Sequence, residues 1–478
     1  MSKRVGDVQR IVLRGTRWQA GQHLMLDFGH RNPLHFLRQL LDSNAPTRTD
    51  AGDPTVQISL GFTRRGLQKA HVPELLLGMF ALQSPAFWQG AAQRAAGYTR
   101  LTDGNAPEHW TSPFSFLHLD AVLSLHSADE AALDDRAGKL ADFATDHDVK
   151  CEALPRLKAL KRPVDVPASP GLEEATWVHF GYRDSLSRID IKGVTTGSVS
   201  ERCRPTSRHE AGEFLLGHEQ DSGANPWIAG PSRYVWSDEF RSFFRNSSFG
   251  VLQQIEQDVS GFEAFVRKIA DDPVYALPAE EVKGKLCGRY PDGRSLATPP
   301  GTDPKADFDY AHDDKGHGCP FGSHVRRMNP RLPPADPDKR QPRRNGLDLL
   351  AQFSQTRPLL RRGMPYGPEW TGKADSETRG LVGQFFCASI EDQFEHLLGE
   401  WADRVPLGSP DRGGARDPFV GAHETSDGPF EIPGPGGSVS LPGLQPFIRT
   451  VGAAYLFYPS LTTLCGIAAD SLWGLDDR

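Results

Sequence analysis

Short apolar runs and helical stripes follow one another in a fixed order through the first third of the chain. Val8-Gln9-Arg10-Ile11-Val12-Leu13 predicts a first strand. Asn32-Pro33 opens a helix, with Asn as cap and Pro in the first turn. Leu34, Leu37, Leu40 and Leu41 form its apolar stripe. Val56-Gln57-Ile58-Ser59-Leu60 alternates with period two, as a half-buried strand does, and Thr63 caps a short helix through Leu67. Residues 114–119, continuing through 122–125, read as the next strand. Ser127-Ala128-Asp129-Glu130 is a capping box for a helix with Leu133, Ala137, Leu140, Ala141 and Ala144 on one face. A strand at 149–154 follows. Strand, helix, strand, strand, helix, strand is the split βαβ order of a ferredoxin-like unit.

The second half has a similar grammar. Phe249-Gly250-Val251-Leu252 predicts a strand, and 256–269 a helix with Val259, Phe262, Phe265 and Val266 on one side. A long irregular stretch, 278–367, comes next; a stretch of that length inside a domain is usually functional or disordered. Residues 381–387 resume a strand, and Ser389 caps a helix carrying Glu391, Phe394, Leu397, Leu398 and Trp401. Residues 403–443 are a Gly/Pro-rich loop, and 447–449 and 455–458 are late strands. No sequence repeat is detectable, so any duplication is one of topology.

Composition narrows the class. A chain of 478 residues is long enough for two or three cores, and 38% hydrophobic with 24% charged residues is ordinary for a soluble globular protein. The formal net charge of −7 disfavours sequence-independent nucleic-acid binding. No run of 18 apolar residues is present, which predicts no membrane span. Met1-Ser2-Lys3-Arg4-Val5-Gly6-Asp7 lacks the apolar core of a signal peptide, so the expected location is cytoplasmic. The six cysteines are scattered without a Cys-x-x-Cys pair and read as reduced thiols.

The irregular stretch contains the densest chemistry, Gly318-Cys319-Pro320-Phe321-Gly322-Ser323-His324-Val325-Arg326-Arg327-Met328-Asn329-Pro330-Arg331. Turn signals bracket one histidine followed by three arginines. A neutral imidazole offers a lone pair to a metal, and guanidinium groups hold carboxylates in bidentate fashion. A haem requires both, an axial nitrogen and cationic partners for its propionates. Zinc is an alternative, because His312, His317, Cys319 and His324 lie close together, although their spacing is not a standard zinc pattern. No nucleophile elbow, P-loop or dinucleotide fingerprint occurs.

This stretch resembles the proximal-haem segment of the dye-decolourising peroxidases, roughly Cys-Pro-x-x-[Ala/Ser]-His-[Ile/Val]-Arg-x-x-Asn-Pro-Arg. Gly181-Tyr182-Arg183-Asp184-Ser185 resembles the family's distal Gly-x-x-Asp-Gly, with Ser185 in place of the last glycine. Leu359-Leu360-Arg361-Arg362-Gly363-Met364-Pro365-Tyr366-Gly367 resembles the segment that supplies the distal arginine. Likeness extends through 214–217, 257–259, 288–293, 390–394 and Asp417-Pro418-Phe419, from about Gly61 onward. Gln253-Gln254-Ile255 departs from it where the family commonly has arginine or lysine.

The resemblance implies an α+β fold of two tandem ferredoxin-like domains with antiparallel sheets and peripheral helices, placed here at 1–190 and 191–478, haem b being held mainly by the C-terminal half. It implies His324 as the iron ligand, Asp184 as the group that moves a proton on peroxide, and Arg361, ahead of Arg362, as the charge-stabilising donor. Arg326 and Arg331 become candidates for the propionates, and Ser185 a cofactor-side contact. Glu391, Glu395 and Asp403 are the acidic residues considered as partners for the second ring nitrogen of His324. Trp370, Trp401 and Tyr458 are candidate electron relays. The implied partners are hydrogen peroxide and an organic donor, with a homo-oligomer compatible and neither nucleic acid nor membrane expected. A haem-handling or haem-sensing protein of low peroxidase activity is the alternative.

Overall fold

The nine strands of the main sheet pair in an order that states one arrangement twice. In the computed structural model these are β1 (Ala20–Asp27), β2 (Val56–Phe62), β3 (Ala121–Ser127), β4 (Lys150–Ala153), β5 (Leu157–Lys158), β6 (Ser248–Gln257), β7 (Leu360–Tyr366), β8 (Gly380–Cys387) and β9 (Ile448–Tyr458). The structure describes residues 6–15, 18–43, 46–115, 118–163, 174–186, 189–194, 207–225, 227, 238–296, 310, 313–329, 357–373, 375–404, 416–423, 428–441 and 443–470. In the first half the spatial order is β4-β1-β3-β2, and in the second β9-β6-β8-β7. Each is the fourth, first, third, second order of a split βαβ unit, so the expected pair of ferredoxin-like halves is what the chain forms. All these pairings are antiparallel.

The two halves join edge to edge. Phe62 of β2 pairs with Phe457 of β9. Tyr366 of β7 pairs with Leu157 of β5, which in turn pairs with Gly21 of β1. The ladder therefore returns to its starting strand and leaves few free edges. Gln9 reinforces the first seam: its amide donates to the Leu60 and Pro459 carbonyls and accepts from the Leu60 N–H. The interior shows in bonds that cross it. Gln384 of β8 donates to Ser124 Oγ of β3, four strands away around the ring. The Tyr458 ring lies flat over Gly61 and Gly250, where an added Cβ would come within 2.7 and 2.4 Å of it.

Helices cover the outside. Glu130–Asp146 buries Leu133, Leu140 and Ala144 against the first half, and its cap is Asp129, whose carboxylate accepts from the Ala131 and Ala132 N–H groups. Val259–Asp271 is capped by Asp258. Thr63 and Ser389 cap as expected, through bonds from Gly66 N and Asp392 N. Phe80 meets Phe244 and Phe457 edge-on, with ring centroids 5.1 and 5.0 Å apart; pairs of this kind add about 0.5–1.5 kcal/mol to area burial. A second, smaller core contains Phe180, Phe262, Phe419, Phe430 and Phe447.

Several sequence expectations change. The cap of Glu130–Asp146 is Asp129, not the Ser127 of the predicted capping box, and the predicted loop 403–443 contains the paired strands Phe430–Ile432 and Val439–Leu441. Residues 8–13 are not a strand. Arg10–Leu13 is one buried helical turn, α1, and a short apolar run looks the same in either state. Residues 114–119 do not join the strand at 121; Phe114 lies across Gly452 instead, and Phe116 and Leu117 are outside the described residues. The long irregular stretch contains the helix Ala279–Cys287 and β7. The helix after Ser389 winds as two π segments, Ile390–Glu395 and Leu397–Ala402.

Candidate active site

His324 opens a five-residue helix, His324–Met328. Bonds on both sides hold the turn before it. Asp313 accepts from the N–H groups of Gly318 and Cys319, and Ser323 Oγ donates to the Lys285 carbonyl. Arg326 points back into this turn rather than outward. Its guanidinium binds the Asp313 carboxylate at 2.9 Å and the Cys319 and Asp313 carbonyls, packed 4.3 Å from the ring centroids of both Tyr310 and Phe321. Arg326, expected as a propionate partner, is thus bonded within its own turn. Arg327, buried to the point that its pKa falls to about 10, donates to the Trp401, Ala402 and Arg404 carbonyls at the end of the π-helical segment. Arg331 lies outside the described residues.

The partner of His324 is Asp417. The carboxylate oxygens stand 2.9 and 3.1 Å from Nδ1, and the Asp417 side chain is fully buried. Asp417 Oδ1 also accepts from the N–H groups of Phe419 and Val420, an Asx-type turn that fixes its direction. Burial would raise this carboxyl, but His324, Arg327 and the turn N–H outweigh it and hold it below the usual range. A carboxylate only accepts, so Nδ1 carries a proton, and in the neutral ring the lone pair is on Nε2. Nε2 has no partner among the described residues, and the imidazole stays 28% exposed.

The three acidic residues considered from sequence are engaged elsewhere. Glu391 accepts from the Ala86 N–H and Ser84 Oγ. Glu395 forms a buried two-point pair with Arg94, and Asp403 pairs with Arg416. Asp417 stood within a segment of the resemblance, but nothing in its spacing to His324 marked the contact. The one available signal was Asp two and three residues before apolar Phe419 and Val420.

Asp184 lies in an exposed turn after the bridge between Trp177 and Arg183. Its N–H bonds the Thr176 carbonyl, and its carboxylate has no partner among the described residues. Ser185 has φ +62°, the left-handed region where glycine is at ease. Its hydroxyl accepts from Thr176 Oγ1. Aromatic contacts tie this turn to the histidine: Phe180 stacks on Phe419 with centroids 5.6 Å apart, and Phe419 stands edge-on to the His324 ring, also at 5.6 Å.

Arg361 and Arg362 point to opposite faces of β7. Arg362 points inward and donates to the Ile11 and Val12 carbonyls of α1, and burial lowers its pKa to about 10. Arg361 is exposed, in register with Phe385, Val251 and Tyr455 across the sheet, and its guanidinium has no partner among the described residues. Gln253, on that same face, donates to Thr450 Oγ1. Among the described residues no three His, Cys, Asp or Glu groups converge as a metal cluster, and His312 is outside them. Of the candidate relays, Trp401 and Tyr458 are buried and Trp370 is half-buried, its Nε1 donating to the Lys373 carbonyl.

The fold is that of the dye-decolourising peroxidases. A dye-decolorizing peroxidase solved with 2,6-dimethoxyphenol superposes with a TM-score of 0.72, at 22% identity, over 97% of this chain and 99% of that one. A fungal DyP-type peroxidase from Auricularia auricula-judae gives 0.71 at 22% identity over the same shares. In sequence the chain is similar to dye-decolorizing peroxidases of Mycena epipterygia, 26% identical over 97% of this chain and 87% of the relative, and of Auricularia auricula-judae, 24% over 96% and 86%. No family-level sequence profile matches the chain. Among the described residues no helix is long and apolar enough to cross a membrane.

Proposed function

We propose that the protein is a haem-dependent peroxidase that reduces hydrogen peroxide and oxidises dye-like or phenolic donors one electron at a time. The observation that carries this reading is His324, a partly exposed imidazole whose Nδ1–H is fixed by buried Asp417 and whose Nε2 is left without a protein partner among the described residues. That donor set fits a haem iron: neutral imidazole on one side, with a carboxylate behind it raising its basicity. His324 would hold the iron of haem b, and the division at 190/191 leaves this ligand in the C-terminal half. When bound, the haem supplies the oxidation–reduction chemistry between peroxide and donor.

The chain's own residues supply the rest. Asp184 has a carboxylate without a described partner, and it takes a proton from one peroxide oxygen and returns it to the other. Arg361 stabilises the negative charge that develops as the O–O bond lengthens. Ser185 sets the backbone next to Asp184. Relatives similar along nearly the whole chain support the peroxidase assignment, and the solved neighbour bound to 2,6-dimethoxyphenol supports a phenolic donor. The five described cysteines are free thiols, which fits a reducing, cytoplasmic setting.

A visible spectrum of the purified protein, followed by peroxide and a phenolic donor, tests the reading. A haem Soret band with rapid spectral change and donor turnover is expected. A haem spectrum without turnover would return the assignment to haem handling. Absence of haem uptake would remove both.

A further inference from the structure

The inside of the closed sheet carries a polar cluster that the proposed chemistry does not use. His23 Nδ1 and Ser124 Oγ are 2.8 Å apart. Gln384 Nε2 donates to Ser124 Oγ at 2.8 Å and to the Tyr458 hydroxyl at 2.9 Å. The His126 ring meets His23 edge-on at 5.6 Å and stacks on Trp18 at 4.0 Å. Gln57 stands directly opposite His126 in the β2–β3 ladder, and Gly21 stands opposite it in β1. In an antiparallel pair such partners share a face, and here that face is the interior.

Several polar atoms of this cluster are buried without a hydrogen bond among the described residues: both ends of the Gln57 amide, His126 Nδ1 and Gln384 Oε1. Gln57 and His126 are each only 2% exposed. A buried amide or ring nitrogen left unpaired costs about 1–3 kcal/mol, and native proteins meet such groups with ordered water. We propose that the barrel interior is a binding site for small neutral molecules that both donate and accept hydrogen bonds, held between Gln57, His126 and Gln384, with water as its resident occupant. The glycines at 21, 61 and 250 keep the wall thin where the His126 and Tyr458 rings lie against it.

A neutral guest is favoured over an ion. No carboxylate is among the groups of this cluster, and Arg362, which faces the interior from β7, is already bonded to the Ile11 and Val12 carbonyls and to its neighbour's carbonyl. His23 and His126 are kept uncharged by burial.

A high-resolution crystal structure of the full chain tests the site, with a second crystal soaked in bromide. Ordered water within hydrogen-bond distance of the Gln57 amide and His126 Nδ1, without an anomalous bromide peak, is the expected result. A direct Gln57–His126 bond with no water between them overturns the proposal, and a bromide peak overturns the neutral class. Gln57→Leu gives an independent reading in solution. If water is resident, the substitution removes its partners and lowers Tm. A higher Tm means that an unpaired amide was relieved in a dry interior, which overturns the proposal. Neither measurement depends on haem uptake or peroxide turnover.

Discussion

His324 and Asp417 stand 93 residues apart in the chain and share a hydrogen bond of 2.9 Å. The same carboxylate accepts from the Phe419 and Val420 N–H groups, so the turn that positions Asp417 also fixes the tautomer of His324. The relationship is directional. Remove the acceptor, and the ring has no reason to keep its proton on Nδ1.

Asp417→Asn tests that directly. The turn retains its acceptor only if the new amide keeps its carbonyl oxygen on the Phe419 and Val420 N–H groups. That turns the amide NH2 toward His324 Nδ1, where two donors face each other unless the ring moves its proton to Nε2. The lone pair then points at the amide, and the outward nitrogen no longer serves a metal. Haem titration followed at the Soret band should show affinity weakened roughly 10–100-fold, the usual effect of losing such a partner. Unchanged affinity and an unchanged spectrum would show that Asp417 does not set the tautomer. His324→Ala should largely lose haem outright.

Arg361 and Arg362 should separate by what they damage. Arg361→Leu removes an exposed guanidinium without described partners, so haem binding and thermal stability should hold. The rate of the spectral change on adding peroxide should fall about 10²–10³-fold, the typical effect of losing one charge-stabilising donor. Arg362→Leu removes the group bonded to the Ile11 and Val12 carbonyls, leaving buried acceptors unmet. Its effect should appear in Tm. Stopped-flow absorbance and a melting curve on both variants decide it, and a reversed pattern would exchange the two roles.

The periodic parts of this fold were legible, and the reasons for the gaps are physical. Helix 130–146 buries one face, and its spacing shows it; strand 56–62 alternates apolar and polar residues in sequence, although both of its faces are buried. β1 was not visible because Gln22 and His23 interrupt its apolar residues, although His23 is buried against Ser124. α1 and a strand are indistinguishable over six residues. The site was legible as separate segments through family resemblance. The contacts that join those segments were not, because Asp417 reaches His324, and Phe419 reaches Phe180, across long sequence separations that leave no period to read.

Ser185 occupies φ +62°, and its hydroxyl oxygen accepts from Thr176 Oγ1. Among the described residues the Ser185 hydroxyl makes no bond to the Asp184 carboxylate. What remains is the strain and bulk of a Cβ where the backbone is left-handed, about 1–2 kcal/mol for a non-glycine residue. Ser185→Gly should therefore react faster with peroxide at every pH. Second-order rate constants across pH for both proteins are the measurement. Equal or lower rates in the glycine variant would show that the serine is no brake.

Acid should destabilise the protein before its carboxylates titrate. Burial pushes His23 down to about 3 and His126 well below its ordinary value, the latter lowered further by competition with His23 for a proton and by the Arg362 charge. In the unfolded chain both titrate near 6.5. Above that pH neither state binds these protons, and stability is flat. Between about 6.5 and 3 the unfolded chain takes up protons that the folded chain refuses, so stability falls as pH falls, by about 1.4 kcal/mol per pH unit for each histidine. His396, lowered to about 4, adds its own share. Asp120 and Glu391 act in the other direction, since burial raises both carboxyls and protonation relieves them, but that relief is centred nearer the carboxylate range. Urea midpoints should therefore be level from pH 7.5 to about 6.5 and decline from there to pH 5. His23→Gln, which stays neutral and keeps a hydrogen-bonding group near Ser124, should reduce the slope by about one proton. A wild-type midpoint that is level across this window would mean that the interior histidines accept protons in the folded state.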